Sequence, residues 1–125
     1  MTTQIRDVVE QYALLAGPGR TEDIVTLYGP DAVAADPIGT PANRGHDAIR
    51  GCYTAIAALD QETELRCVVV RAADNHAAFP FTLVTEVDGQ RVALSPIDVM
   101  EFDEEDRITE MRAYWSQADR RVELE

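Results

Sequence analysis

The sequence predicts one α+β domain in which helices pack against a largely antiparallel sheet. Three observations lead to this prediction. Apolar residues recur at helical spacing in the first half of the chain, they alternate with polar residues from Thr63 onward, and Asp88-Gly89 joins two alternating runs as a tight hairpin turn. The length of 125 residues fits a single domain, residues 1–125, and the 46% apolar content is enough for a buried core.

The first half of the chain contains the helical segments. We expect a helix over residues 3–16 that is ended by Gly17-Pro18-Gly19, a short second helix with Thr21 as its N-cap, and a third helix over residues 46–59. Their inward stripes consist of Ile5, Val8, Val9 and Tyr12 in the first helix, Ile24, Leu27 and Tyr28 in the second, and Ile49, Cys52, Tyr53 and Ile56 in the third.

The strands lie mainly in the second half. A turn at Gly29-Pro30-Asp31 precedes a short strand from Ala32 to Asp36, which Pro37 closes. Alternation then predicts a curved sheet of longer strands, over residues 63–73, 76–87, 90–102 and 107–117, with a charged loop at 103–106.

The charge of the chain limits its partners. Its 11 basic and 23 acidic side chains give a net charge of −12, which argues against nucleic acid and anionic membranes, because both need a basic face. The sequence shows no apolar run of about 20 residues and no secretory leader, so we expect a cytoplasmic protein without a membrane span. Its two cysteines and two histidines lack the spacing of metal ligands, so we expect no metal site.

One predicted strand carries an acid on an apolar face. Between residues 92 and 102, one face consists of Val92, Leu94, Pro96, Asp98, Met100 and Phe102. Burial of a carboxylate costs several kcal/mol unless it is paired or protonated, so we expect the pKa of Asp98 to rise. A neutral carboxyl group in an apolar wall can donate a hydrogen bond to a developing oxyanion. The alternatives are a strand assigned to the wrong period and an aspartate near the end of the sheet that reaches water.

The sequence offers further candidate residues in addition to Asp98. Asp36 ends an apolar run before Pro37, which favours extended geometry and a carboxylate directed from a strand end, although an ordinary turn aspartate fits as well. Tyr12, Tyr28 and Tyr53 either pack in the core or join one hydrogen-bonded network. The apolar residues that either line a hollow or fill it are Phe79, Phe81, Leu83, Met111, Ala113 and Trp115.

Several segments together carry a family resemblance: Val8–Tyr12, Leu27-Tyr28, Ala35–Gly39, Cys52-Tyr53, Ala77–Phe81, Ser95–Asp103 and Met111–Ser116. In this order and at these separations, the chain resembles the bacterial ketosteroid isomerases of the nuclear-transport-factor-2-like (SnoaL-like) superfamily over essentially its whole length. The resemblance implies a cone-shaped fold with three N-terminal helices on a curved mixed sheet that encloses an apolar pocket. It also implies a homodimer.

The resemblance implies roles for individual residues. Asp36 matches the catalytic base, Tyr12 the tyrosine of the oxyanion hole, and Asp98 the protonated acid beside it, in a family that is itself the standard example of a catalytic carboxyl kept neutral. The supporting residues are Tyr28, Tyr53 and Trp115. The implied reaction moves the double bond of a 3-oxo-Δ5-steroid into conjugation with the ketone, without a metal or organic cofactor. We expect the steroid to bind against Phe79, Phe81, Met100, Met111 and Ala113.

Two other interpretations stay open. The same fold serves polyketide cyclases and epoxide hydrolases, and it could serve a non-catalytic binder of apolar ligands. A hydrolase needs polar groups to position water, and a binder of apolar ligands gains nothing from a buried acid, so the isomerase is favoured. A homodimer would cover the outer face of the sheet, for which Ile97, Val99 and Val84 are the candidate interface residues.

Overall fold

The computed structural model describes residues 2–16, 20–58, 63–66 and 70–123. Within these ranges the helices are α1 (Thr2–Ala16), α2 (Thr21–Val25), α3 (Gly45–Ala58) and a short 3₁₀ helix (Gln117–Asp119). The bounds of α1 and α3 agree with the predicted ones to within about one residue. The predicted helix end at Gly17-Pro18-Gly19 lies outside the described residues.

The strands form two sheets. Their bounds are β1 (Tyr28–Ala35), β2 (Asn43–Arg44), β3 (Thr63–Arg66), β4 (Arg71–Ala73), β5 (His76–Pro80), β6 (Thr82–Val87), β7 (Gln90–Leu94), β8 (Ile97–Phe102), β9 (Ile108–Tyr114) and β10 (Arg121–Val122). The larger sheet has the order β2-β1-β9-β8-β5-β4, and the smaller one has the order β10-β7-β6-β3. The β1–β9 pair is parallel and the other pairs are antiparallel, so the fold is α+β with a mixed sheet, as predicted.

The parallel pair changes the assignment of residues 28–31. The predicted turn at Gly29-Pro30-Asp31 is wrong, because these residues belong to β1, and Tyr28 is the first residue of that strand and not part of α2. The register against β9 shifts between Tyr28 and Val33. Pro30 has no N–H to donate to a ladder, and such an irregularity accommodates it. A strand distant in sequence therefore supplies the partner that local signals could not indicate.

Two predicted long strands are each divided by a bend. The run 76–87 is split into β5 and β6, and the run 90–102 into β7 and β8, so that each passes from one sheet to the other. At the bend the Phe81 amide donates to the Pro96 carbonyl at 3.3 Å, and Pro96 itself cannot donate in return.

The bend also reverses the alternation. Ala93 is buried on β7 while Val92 and Leu94 are half-buried, so the continuous face predicted from Val92 to Phe102 is wrong before Pro96. From Pro96 to Phe102 the predicted phase is confirmed, with Asp98 inside.

The predicted strand 63–73 is also divided. Its first part is β3 of the smaller sheet and its last part is β4 of the larger sheet. Residues 67–69, which include the second cysteine, lie outside the described residues.

The core lies between the helices and the inner face of the larger sheet. The buried residues of this cluster are Ile5, Val9, Tyr12, Ile24, Val25, Tyr28, Ala32, Ala34, Ile49, Tyr53, Ala77, Phe79, Phe81, Met100, Phe102, Ile108, Met111 and Ala113. They come from α1, α2, α3 and four strands of the larger sheet or its bend, so the helical stripes and the strands β1, β5, β8 and β9 bury a common apolar surface.

The outer face of the larger sheet has a different character. Ile97 is 49% exposed and Tyr114, its cross-strand neighbour, is 47% exposed. Val99 is half-buried. Val84 is only 2% exposed within this chain, so its assignment as an interface residue is wrong. It lies on β6 of the smaller sheet, beyond the bend that the alternation did not reveal.

Two glycines provide a matched test of the local backbone. A Cβ at Gly51, in the middle of α3, or at Gly89, in the hairpin turn, would meet no atom within 4 Å, but Gly89 has φ +79°. We expect Gly51→Ala to raise the free energy of unfolding by about 0.5–1 kcal/mol, because alanine favours a helix interior. We expect Gly89→Ala to lower it by about 1 kcal/mol, because a side chain disfavours positive φ. Urea unfolding of both variants measures this difference, and a shift of the same sign in both would contradict it.

Candidate active site

The hydroxyl groups of three tyrosines form a buried chain. Tyr53 Oη lies 2.8 Å from Tyr12 Oη and 2.8 Å from Tyr28 Oη, so Tyr53 is the central member. The ring centroids of Tyr12 and Tyr53 are 6.1 Å apart in an edge-on contact, and all three side chains are buried. The structure therefore combines the two interpretations that the sequence left open, core packing and a hydrogen-bonded network.

Different elements bring these tyrosines together. Tyr12 lies on the inward stripe of α1, Tyr53 on that of α3, and Tyr28 at the start of β1. His46, at the beginning of α3, lies with Nε2 2.8 Å from the Tyr28 carbonyl oxygen and so connects α3 to β1. Desolvation is the main cause that raises the pKa of Tyr12, Tyr28 and Tyr53 well above the ordinary value, so their hydroxyl groups stay protonated.

Asp98 lies in the middle of the larger sheet. It pairs with Phe79 of β5 on one side and with Ala113 of β9 on the other, and it is only 2% exposed. Its Oδ1 atom has no hydrogen-bond partner in the described part of the chain. Desolvation, followed by the charge of Asp36, raises the pKa of Asp98 well above its ordinary value. The predicted buried acid is confirmed, and the alternative of an aspartate that reaches water is wrong.

Asp36 directly follows β1 and is held by Trp115. The indole Nε1 of Trp115 donates to Asp36 Oδ1 at 2.8 Å. Ile38 N donates to the Ala113 carbonyl at 2.8 Å, which ties the segment after β1 to the end of β9, and the Asp36-Pro37 peptide bond is cis. Desolvation raises the pKa of Asp36, and the hydrogen bond from Trp115 opposes this rise. The Asp36 residue as a whole is half-buried, in contrast to the buried Asp98.

The carboxyl groups of Asp36 and Asp98 lie in different environments, and the charge of Asp36 acts on Asp98. The charge of Asp36 disfavours ionisation of Asp98 and of Tyr12. Asp98 lacks a donor on Oδ1, whereas Asp36 accepts the indole hydrogen bond, which stabilises its charged form. Two carboxyl groups whose environments shift their pKa values to different extents are typical of sites that transfer protons.

The apolar residues predicted to line the site belong to the same buried cluster as the tyrosines. Phe79 packs edge-on against Tyr12 with centroids 6.0 Å apart, and it stacks on Phe81 at 5.6 Å. The members of this wall are Phe79, Phe81, Met100, Met111 and Ala113, each at most 5% exposed. All the predicted site residues are therefore brought into one region.

The sequence missed one neighbour of this region. The helical pattern predicts Cys52 on the inward stripe of α3 but does not connect its thiol with Asp36. Desolvation is the larger cause that raises the pKa of Cys52, and the charge of Asp36 is the smaller one. The resemblance implies only a supporting role for Trp115, and its hydrogen bond to Asp36 is found in the structure. The signal that could have indicated this bond is that an inward indole N–H requires an acceptor.

Two negative findings apply to the described ranges alone. In residues 2–16, 20–58, 63–66 and 70–123, no group of three His, Cys, Asp or Glu side chains is placed to hold a metal ion. In the same ranges, no helix has the length and apolar character needed to cross a bilayer.

Comparisons of the sequence and of the fold with known proteins identify the family of the chain. A steroid Delta-isomerase of Nocardioides simplex is 40% identical over 119 residues, which is 95% of this chain and 95% of that protein. A solved structure of the epoxide hydrolase/cyclase-like enzyme SalBIII, described for pyran ring formation in polyether salinomycin, superposes with a TM-score of 0.86 at 21% identity and covers 96% of each chain. The SnoaL-like domain family matches residues 8–111. The chain therefore belongs to the SnoaL-like domain family and is a homologue of a steroid Delta-isomerase.

Proposed function

We propose that this protein is a Δ5-3-ketosteroid isomerase, which converts 3-oxo-Δ5-steroids into 3-oxo-Δ4-steroids. The observation that carries the proposal is the contrast between Asp98, buried with an unpartnered oxygen, and Asp36, half-buried and bound by an indole N–H. The 40% identity to a steroid Delta-isomerase supports the same reaction class.

Asp36 acts as the base. It removes a proton from the carbon between the carbonyl group and the alkene, and the electrons of that C–H bond form a dienolate whose charge rests on the carbonyl oxygen. Because Trp115 occupies Oδ1, Oδ2 is the atom left to take the proton. Protonated Asp36 then returns the proton to the far end of the dienolate, which restores the ketone in conjugation with the shifted alkene. The reaction balances with one proton and no oxidant.

Tyr12 and Asp98 stabilise the dienolate oxygen. Three tyrosine hydroxyls share two hydrogen bonds within their chain, so one proton is left over. When Tyr28 donates to Tyr53 and Tyr53 donates to Tyr12, that proton is on Tyr12. Asp98, whose neutral form is favoured by desolvation, supplies the second donor. In a dry site each such hydrogen bond to a developing charge stabilises the transition state more than it would in water.

The remaining residues of the proposed site support these three. Tyr28 and Tyr53 fix the direction of the hydroxyl chain, and Trp115 orients Asp36. In this proposal the steroid packs against the wall formed by Phe79, Phe81, Met100, Met111 and Ala113, which belong to the buried apolar cluster. Apolar burial provides most of the binding free energy for such a ligand, and the few polar groups set its orientation.

Other activities of the fold are less well supported by these contacts. A hydrolase would need polar groups that position a water molecule beside the base, whereas the hydrogen bond to Asp36 found among the described residues comes from the indole N–H of Trp115 and occupies one oxygen. The similarity to the cyclase-like enzyme, at 21% identity, concerns the fold and does not favour that chemistry. A plain apolar binder would not require the energetic cost of burying Asp98.

The proposal includes a homodimer formed through the outer face of the larger sheet. Ile97 and Tyr114 are adjacent exposed apolar side chains there, and a neighbouring apolar hollow of about 230 Å³ is lined mainly by alanines of β4 and β5 and by Val99. A second copy placed face to face would bury both features.

The first test is the isomerase reaction itself. Asp36→Asn removes the base while leaving the apolar wall, so we expect turnover of a 3-oxo-Δ5-steroid to fall by at least about 10²–10⁴-fold with little change in affinity for a phenolic steroid. Ultraviolet absorbance of the conjugated enone follows turnover, and Asp31→Asn on the exposed part of β1 is the matched control. Binding of the phenolic ligand without turnover by the unmodified protein would instead identify an apolar-ligand binder or another enzyme.

Asp98 offers a test that combines activity with stability. Asp98→Leu removes a donor, so we expect turnover to fall about 10²–10³-fold. Above about pH 4 the unfolded chain ionises Asp98, whereas burial raises the pKa of Asp98 in the folded chain and opposes its ionisation, so this residue lowers stability increasingly as pH rises toward its raised folded pKa. The leucine variant should therefore gain stability relative to the unmodified protein between pH 4 and pH 7.

Urea unfolding at the two pH values measures this gain. Asp98→Asn, which keeps an N–H donor without titrating, is the control and should retain more activity than the leucine variant. If the leucine variant is less stable by the same amount at both pH values, Asp98 has a structural role instead.

The dimer is tested by charging its proposed interface. Sedimentation at micromolar concentration should give twice the mass of one chain for the unmodified protein and one chain mass for Ile97→Glu. Val122→Glu is matched in exposure, at 48% against 49%, but lies on the smaller sheet and should leave the dimer intact. A single-chain mass for the unmodified protein would refute the proposed interface.

A further inference from the structure

An open hollow of about 250 Å³ lies at one edge of the smaller sheet, and two neighbouring arginines line it. Arg120 follows the 3₁₀ helix, and Arg121 is the first residue of β10. Arg120 Nη1 donates to Gln117 Oε1 at 3.1 Å, and Arg121 Nη1 donates to Ser95 Oγ at 3.5 Å. Both of these partners are neutral, and neither arginine forms an ion pair with a residue that the structure describes. A guanidinium group carries several N–H donors, so these two contacts leave donors for a ligand.

The hollow is locally positive in a chain whose net charge is −12. Its charged lining consists of the two arginines and one acidic residue, Asp88 of the hairpin turn. Arginines elsewhere in the described ranges form ion pairs: Arg20 with Asp23, Arg50 with Glu22, Arg107 with Asp103 and Arg112 with Glu101. The planar guanidinium group of an arginine can bind a carboxylate through two parallel hydrogen bonds. Two adjacent arginines that lack an acidic partner among the described residues therefore indicate an anionic ligand.

An apolar strip, formed by Leu83, Leu94, Val92 and Val122, connects this hollow with the core. Leu83 packs against the buried cluster and is the cross-strand neighbour of Leu94. Val92 lies two residues before Leu94 on β7, so both side chains are on the same face of the sheet. Val92 pairs with Val122 of β10, and both valines line the hollow. One face of the smaller sheet therefore leads from the core to the two arginines.

The separation between the proposed active site and the hollow suits a single elongated ligand. Ala113 is the cross-strand neighbour of Asp98, and it precedes Gln117, which lines the hollow, by four residues. Four residues of fully extended chain span at most about 14 Å, which is comparable with the length of a four-ring steroid skeleton. Trp115, which binds Asp36, lies between them in the chain. A steroid whose ketone lies at Asp98 therefore has its other end near the hollow.

We propose that the substrate is a 3-oxo-Δ5-steroid with a carboxylate at the end remote from its ketone, an inference that rests on the proposed function. Tyr12 and Asp98 bind the ketone, the apolar strip contacts the ring skeleton, and Arg120 and Arg121 bind the carboxylate. The net charge of −12 repels such an anion, so the two arginines decide whether the acidic steroid is accepted. They contact the substrate far from the reacting carbon atoms and determine specificity without taking part in proton transfer.

Two steroids that differ only at this group test the proposal. They are a 3-oxo-Δ5-steroid with a carboxylate on its five-membered ring and the methyl ester of the same compound. Arg120→Gln and Arg121→Gln, combined in one chain, should lower kcat/KM for the acid about three- to tenfold and leave that for the ester unchanged. Arg20→Gln is the control, because it removes an exposed positive charge at the start of α2, and it should change neither value. An equal loss for acid and ester, or a loss for neither, would overturn the inference.

Binding measurements test the same contact without turnover. The probes are a phenolic steroid with a carboxylate at its far end and the methyl ester of that compound. The fluorescence of Trp115, the one tryptophan of the chain, reports both affinities. Added salt should weaken binding of the acid and not of the ester, because it screens the exposed arginines. The doubly substituted variant should lose this salt dependence, and its persistence would mean that other charges bind the acid.

The two readouts separate this inference from the isomerase activity. If the ester is isomerised and the arginine variant binds the acid as well as the unmodified protein does, the inference is wrong and the proposed function stands. If binding of the acid depends on the arginines while neither compound is isomerised, the anion site stands and the proposed function is wrong. If neither steroid binds, both are refuted.

Discussion

The carboxyl group of Asp98 is buried in the middle of the larger sheet and has no ion-pair partner among the residues that the structure describes, so the core around it has to accommodate the cost of its burial. Desolvation opposes its ionised form, so the folded chain gains nothing from the negative charge that an aspartate normally carries. Its cross-strand neighbours Phe79 and Ala113 offer no polar side chain. A fold that buries such a group loses stability at neutral pH, because the unfolded chain ionises it in water and the folded chain opposes that ionisation. In the proposed function, this loss accompanies a hydrogen-bond donor in a dry environment, and the tyrosine chain and Asp36 act beside it.

The polar network also explains how the helices are oriented on the sheet. Tyr53 makes hydrogen bonds to α1 through Tyr12 and to β1 through Tyr28, so a displacement of α3 would break both. His46 adds a contact from the start of α3 to the Tyr28 backbone. Apolar packing alone allows small shifts between elements, whereas buried hydroxyl groups that satisfy one another permit few arrangements. The same bonds that orient α3 therefore fix the position of the proposed oxyanion donors.

Local sequence signals predicted those features that local interactions determine. The α1 stripe, Ile49 and Tyr53 of the α3 stripe, and the Asp88-Gly89 turn follow from helical period and turn chemistry, and they are confirmed. The side chain of Ile56 lies outside the described residues. Asp98 could be recognised because one charged residue on an apolar strand face is physically unusual. Alternation within Val92 to Phe102 was nevertheless extended too far, since the bend at Pro96 depends on the second sheet.

Local sequence patterns did not predict the features that depend on contacts between residues far apart in the chain. Gly29-Pro30-Asp31 has the composition of a turn, and only the parallel partner β9 makes it part of a strand. Asp36 by itself resembles an ordinary turn aspartate, and its hydrogen bond to Trp115 is found only in the structure, where the segment after β1 meets the end of β9.

The hydrogen bond between Trp115 and Asp36 joins residues 79 positions apart, and the β1–β9 pair that supports it is parallel. During synthesis on a ribosome, the N-terminal helices and β1 emerge long before β9. The carboxylate therefore lacks its indole partner until almost the whole chain has left the exit tunnel. A chain that ends before β9 retains Tyr12, Tyr28, Asp36, Tyr53 and Asp98 and still lacks the strand that brings them into register. Contacts of such sequence separation also slow folding.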